Sequence, residues 1–150
     1  VEHSIRCDDA ETGVPCKIRC DKAIIDEQHP FVVDIKTVSE WSERKFAYAC
    51  EDFGYHIQAA HYASIASQHY EIDLPLWSVV FAVVETQAPY RARACILDAE
   101  SIQKGFAERY SLLCEYQDRM TSGDWSEKDE HELTEIVLPS VYRKRGSHDD

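Results

Sequence analysis

The run Phe31-Val32-Val33-Asp34-Ile35-Lys36-Thr37 constrains the fold of this chain more than any other segment. β-Branched and aromatic residues dominate it, which favours a strand. Strand alternation then puts Asp34 and Lys36 on one face and Val33 and Ile35 on the other. Upstream, Pro15 to Ile25 reads as a strand with Lys17, Arg19 and Asp21 on one face and Cys16, Ile18 and Cys20 on the other. The polar turn Asp26-Glu27-Gln28-His29-Pro30 joins the two runs. A hairpin of this kind brings Asp21, Asp34 and Lys36 together. Two carboxylates and an ammonium on an otherwise apolar sheet are costly to desolvate, and a divalent cation would offset the carboxylate charge.

The rest of the chain alternates strand and helix signals. Glu2 to Cys7 reads as a short strand, followed by an Asp-rich turn ending at Gly13. Ser39 is a candidate N-cap for a helix beginning near Glu40, which breaks around Gly54 and resumes from Tyr55 to about Ser67. Trp77 to Glu85 and Tyr90 to Leu97 read as strands, with Thr86-Gln87-Ala88-Pro89 between them. Asp98 caps a long helix from Ala99 to about Met120, closed by Ser122-Gly123-Asp124, and the tail carries one apolar patch, Ile136 to Leu138. The order β-β-β-α-α-β-β-α predicts an α/β fold: a mixed central β-sheet flanked by helices.

At 150 residues, with 44% hydrophobic and 29% charged, the chain is one globular domain rather than a disordered segment. No apolar run reaches the length of a membrane span, and the first residues show no basic stretch followed by an apolar core. The expectation is a cytoplasmic protein with no membrane partner. The net charge of −12 counts against a compact nucleic-acid binder, yet Lys17/Arg19, Arg91/Arg93 and Arg143-Lys144-Arg145 form local basic clusters. The six cysteines read as reduced, mostly buried thiols. Cys16-x-x-x-Cys20 is the spacing that would suit a metal pair instead.

Mg²⁺ takes hard oxygen ligands, keeps several waters and is often held by one or two carboxylates plus substrate phosphate. A lysine beside such an ion can orient or help deprotonate a water, or stabilise charge that develops on phosphorus. Three segments carry this pattern in order. They are Cys16-Lys17-Ile18-Arg19-Cys20-Asp21, then Phe31 to Thr37, then Gly54-Tyr55-His56-Ile57-Gln58-Ala59-Ala60-His61-Tyr62. Together they resemble the PD-(D/E)xK nuclease superfamily, more narrowly its RecB-like branch and, within that, the RecE (exodeoxyribonuclease VIII)-type exonuclease domain. Val83 to Tyr90 resembles the strand–turn–strand that follows the helix in that family. Gly123-Asp124-Trp125 and Leu138-Pro139 resemble its closing segment.

The resemblance implies a restriction-endonuclease-like nuclease core spanning 1–150 as a single domain, without the helix that relatives place before the first strand. It implies Asp21, Asp34 and Ile35 as metal positions, with Mg²⁺ as the ion and Mn²⁺ as its substitute. Lys36 becomes the catalytic lysine, and Gln58 and Tyr62, four apart on one helix face, the pair beside the site. The activity implied is a Mg²⁺-dependent exonuclease acting on duplex DNA from 5′ ends in recombination or phage-type repair. A ring-like homo-oligomer and a single-strand annealing protein are the implied partners. A different class of reading is a non-catalytic nuclease-fold module for DNA binding or assembly. A third is a thiol-based metal or redox protein built on Cys16 and Cys20.

Overall fold

A computed structural model describes residues 2–25, 29–72 and 78–126. The element order is β1 (His3–Asp8), β2 (Pro15–Cys20), β3 (Lys22–Ile24), β4 (Phe31–Val38), α1 (Glu43–Asp52), α2 (Tyr55–Tyr70), β5 (Val79–Glu85), β6 (Ala92–Cys95) and α3 (Ala99–Ser122). The class is α/β, as the order of strand and helix signals predicts.

The expected single sheet is divided. β1 and β2 form a two-stranded antiparallel ribbon, whereas β3-β4-β5-β6 form a four-stranded mixed sheet in which β4 and β5 run parallel. The division falls at Asp21. The predicted strand from Pro15 to Ile25 stops at Cys20 and restarts at Lys22. Asp21 still donates its N–H to the Val33 carbonyl (3.1 Å), but its side chain accepts the N–H of Ile35 (2.7 Å). A carboxylate here takes the place of a strand carbonyl, so β4 stays satisfied while the chain turns away into the ribbon.

Helix α1 begins three residues later than predicted. Its N-cap is Ser42, which accepts from Lys45 N–H, rather than Ser39. The reason is tertiary: the Trp41 N–H is committed to Glu85 Oε1 (2.9 Å), which holds this stretch against the end of β5. Helix α2 runs three residues past Ser67 to Tyr70. Asp98 and Gly123 cap α3, Asp98 accepting from Ser101 N–H at 2.7 Å. Trp77 and the patch at Ile136 to Leu138 lie outside the described residues.

Helix α2 organises the interior, touching β1, β2, β5, α1 and α3. Its Ala59, Ala60, Ala63, Ile65 and Ala66 are buried with Ile5, Ile18 and Cys20 of the ribbon and Val32, Phe81 and Val83 of the sheet. The run of alanines is what allows so many elements to approach one helix. A second anchor is the buried pair Arg109 and Asp9, which ties α3 to the β1–β2 turn. Burial pushes the Asp9 carboxyl up, but hydrogen bonds from Arg109 and Thr12 outweigh it and bring it down to about 2. No helix among the described residues is long and apolar enough to cross a membrane.

The α2–α3 crossing is closest at Gly105, where an added Cβ would collide with the His56 backbone carbonyl. Gly105→Ala should therefore destabilise the domain by about 1–3 kcal/mol, although alanine is intrinsically better in a helix by about 1 kcal/mol. Urea unfolding of the variant checks this, and a gain in stability would contradict it.

Candidate active site

Strand β4 supplies two charged side chains to the face covered by α2. Val32 and Asp34 are buried and Lys36 is half-buried, whereas Ile35 between them is 55% exposed on the outer face. Parallel pairing with β5 sets Phe81 beside Asp34 and Val83 beside Lys36, so apolar side chains flank both.

Helix α2 supplies the polar partner. The Gln58 Nε2 amide donates to Asp34 Oδ1 (2.9 Å) and its Oε1 accepts from Lys36 Nζ (2.8 Å). Lys36 Nζ also lies 2.8 Å from Asp34 Oδ2, with the two side chains only 16% and 9% exposed. That last contact is a short ion pair, and no other donor among the described residues reaches the buried Asp34 Oδ2. Below Lys36, the Tyr55 ring centroid lies 4.0 Å from Nζ and that of Phe81 5.7 Å away. The ammonium is thus fixed by a carboxylate, an amide oxygen and an aromatic face.

Asp21 reaches the same region from the bend between β2 and β3. Its Oδ2 accepts the Ile35 N–H, next to Asp34 in the chain (2.7 Å). The Cys20 thiol and the Tyr62 phenol record both carboxylates. Burial pushes each up, and Asp21 and Asp34 push further in the same direction, against a lowering hydrogen bond from Gln58 in the case of Tyr62. Of the residues singled out in the sequence, Asp34, Lys36 and Gln58 are in mutual contact, with Asp21 alongside. Tyr62 stands beside the cluster, within the influence of both carboxylates and Gln58, while its hydroxyl donates to the Arg19 carbonyl (2.7 Å), pinning α2 to the ribbon just before Asp21. The Ile35 side chain leaves the site, so only its main chain can serve a cation.

Two supporting groups were not anticipated. Tyr55 lies three residues before Gln58, hence on the same helix face, and that spacing was the available signal. Glu85 ends β5, is buried, and accepts from both Arg91 Nε (3.1 Å) and Arg91 Nη2 (2.9 Å), as well as from the backbone N–H groups of Arg91 and Trp41. These donors, Arg91 foremost, hold its carboxyl down at about 2. Arg91 is therefore consumed in closing the sheet end, and Arg93 lies over the Trp41 ring (5.5 Å). The pair does not form a free basic strip. Cys16 and Cys20 are buried in the core, where burial pushes both thiols up, and among the described residues no three His, Cys, Asp or Glu side chains converge as a metal cluster.

Strand β4, which carries Asp34 and Lys36, the parallel strand β5 and the two crossover helices between them form the α/β core into which Gln58 reaches. The chain belongs to the family described as "PDDEXK-like domain of unknown function (DUF3799)", whose profile matches residues 1–133. No curated protein matches the chain. A crystal structure described as a "putative exonuclease" from Eubacterium rectale shares the fold, with a TM-score of 0.58 and 18% identity over 93% of this chain and 55% of that one. The chain thus spans about half the length of that structure.

Gln58→Met keeps the volume but removes both polar ends of the bridge. It leaves Asp34 Oδ1 and the Lys36 ammonium each short of a partner, so the domain should lose about 1–3 kcal/mol. Chemical denaturation measures the loss, and a variant as stable as the wild type would show that the bridge contributes nothing.

Proposed function

We propose that the domain is a Mg²⁺-dependent DNA exonuclease, and that Asp34, Lys36, Gln58 and Asp21 form its active site. The observation that carries the reading is the Asp34–Gln58–Lys36 cluster at the inner face of β4, within a chain of the PDDEXK-like family. Asp34 Oδ2 is buried, and the group beside it among the described residues is the Lys36 ammonium at 2.8 Å. A carboxylate oxygen suits a hard cation. Asp34 and Asp21 with the Ile35 main-chain carbonyl would hold Mg²⁺, or Mn²⁺ in its place. The small number of carboxylates suits an ion that keeps water and takes up substrate phosphate. When bound, the ion supplies Lewis acidity and a water of lowered pKa.

The side chains do the rest. Gln58 sets the distance between Asp34 and Lys36. Tyr55 and Phe81 keep the ammonium from swinging into solvent, so its charge stays where negative charge develops on the phosphoryl group. Tyr62 acts on position: by holding the Arg19 carbonyl it fixes the ribbon from which Asp21 projects. The preference for duplex DNA and 5′ ends, the role in recombination or repair, the homo-oligomer and the annealing-protein partner draw on the resemblance to RecE-type domains.

Lys36→Ala should lower the rate of linear duplex hydrolysis by about 10²–10⁴-fold, the usual effect of losing a positioned acid–base or electrostatic group. Circular dichroism should show the fold retained. Hydrolysis at the wild-type rate would remove Lys36 from the chemistry.

A further inference from the structure

The outer face of the β1–β2 ribbon collects cations that the acidic chain does not neutralise. The inner face carries Ile5, Cys16, Ile18 and Cys20 into the core. Alternation therefore exposes Ser4, Arg6, Asp8, Pro15, Lys17 and Arg19 together. The register sets Arg6 directly opposite Lys17 and Ser4 opposite Arg19. Like charges facing each other across an antiparallel pair are destabilising, and a chain of net charge −12 has carboxylates to spare for separating them. Elsewhere Arg91, Lys104, Arg109 and Arg119 each sit on a carboxylate, while Lys22, Arg44 and Lys45 are exposed on other elements. Neither Arg6 nor Lys17 is in an ion pair with a described residue. Arg19 reaches Glu2 only at 3.8 Å, with both side chains more than 60% exposed, a contact of little strength.

The ribbon also leads somewhere. Arg19 is two residues from Asp21, and its carbonyl is held by Tyr62 on the helix that carries Gln58. Lys17 and Arg19, two apart on one strand, stand about 7 Å from each other. Lys17 and Arg19 thus lie on the strand that leads in the chain to Asp21, with Arg6 opposite Lys17.

We infer that the outer face of the β1–β2 ribbon, through Arg6, Lys17 and Arg19, binds the phosphate backbone of DNA and delivers it to the site at Asp21 and Asp34. The inference deepens the nuclease reading and rests on it for the choice of polyanion. The face contacts phosphates, so it adds affinity without sequence preference. It also accounts for how a subunit that repels DNA at long range engages it locally.

The test is a salt titration of fluorescence anisotropy, using the full chain, a labelled linear duplex and Ca²⁺ in place of Mg²⁺. The variant Arg6→Gln/Lys17→Gln/Arg19→Gln should bind at least about ten-fold more weakly at low salt. Its slope of log affinity against log salt should be shallower by up to about 3, close to one per lost phosphate contact. The single variant Arg44→Gln, which removes an exposed cation of α1, should bind as the wild type does. Equal affinity and slope in the triple variant would overturn the inference, as would an equal loss in Arg44→Gln or no binding by the wild type at low salt. Ribbon-dependent binding without hydrolysis in Mg²⁺ would leave the ribbon standing and remove the nuclease reading. Hydrolysis with ribbon-independent binding would do the reverse.

Discussion

The side-chain amide of Gln58 is the contact on which the arrangement of the site depends. It donates to Asp34 with one end and accepts from Lys36 with the other, so one helix residue sets the spacing of two strand residues. A carboxylate and an ammonium beneath a helix would otherwise each carry a desolvation cost that a single ion pair seldom offsets. The amide adds a hydrogen bond to each charge, and the Tyr55 ring adds a favourable face for the ammonium. For the amide to reach, α2 must lie close on the sheet. The buried alanines of α2, and Gly105 where α3 crosses it, make that approach sterically possible.

Asp21 joins the two parts of the fold. It sits where the chain passes from ribbon to sheet, and its carboxylate satisfies the Ile35 N–H next to Asp34. One residue thereby ends a strand pairing and brings a second carboxylate to the site. Tyr62 secures the same junction from the helix side. The basic outer face of the ribbon and the Asp21 carboxylate are therefore close neighbours in the chain.

How much of this was legible in the sequence follows from the range of each interaction. Alternation alone places Asp34 and Lys36 on one face of β4, and Cys16, Ile18 and Cys20 on the buried face of β2, because side-chain direction is local. The break at Asp21 was not legible. Its cause is a hydrogen bond to a residue 14 positions away. The start of α1 was misplaced for a similar reason: Ser39 and Ser42 are equal as caps locally, and the bond between Trp41 and Glu85, 44 positions apart, decides between them. Helical spacing groups Gln58 with Tyr62, yet it does not reveal that one side chain turns to the sheet and the other to the ribbon. The pairing of Arg6 with Lys17 depends on the β1–β2 register, which a charge count along the chain does not contain.

The central claim is that this cluster, loaded with a divalent ion, hydrolyses DNA from an end. The most direct measurement compares linear duplex with covalently closed circular duplex of the same sequence, each incubated with the protein in Mg²⁺ and in EDTA. The account predicts loss of the linear DNA in Mg²⁺ only, with the circle intact under both conditions. Survival of the linear DNA in Mg²⁺, or its equal loss in EDTA, would contradict it.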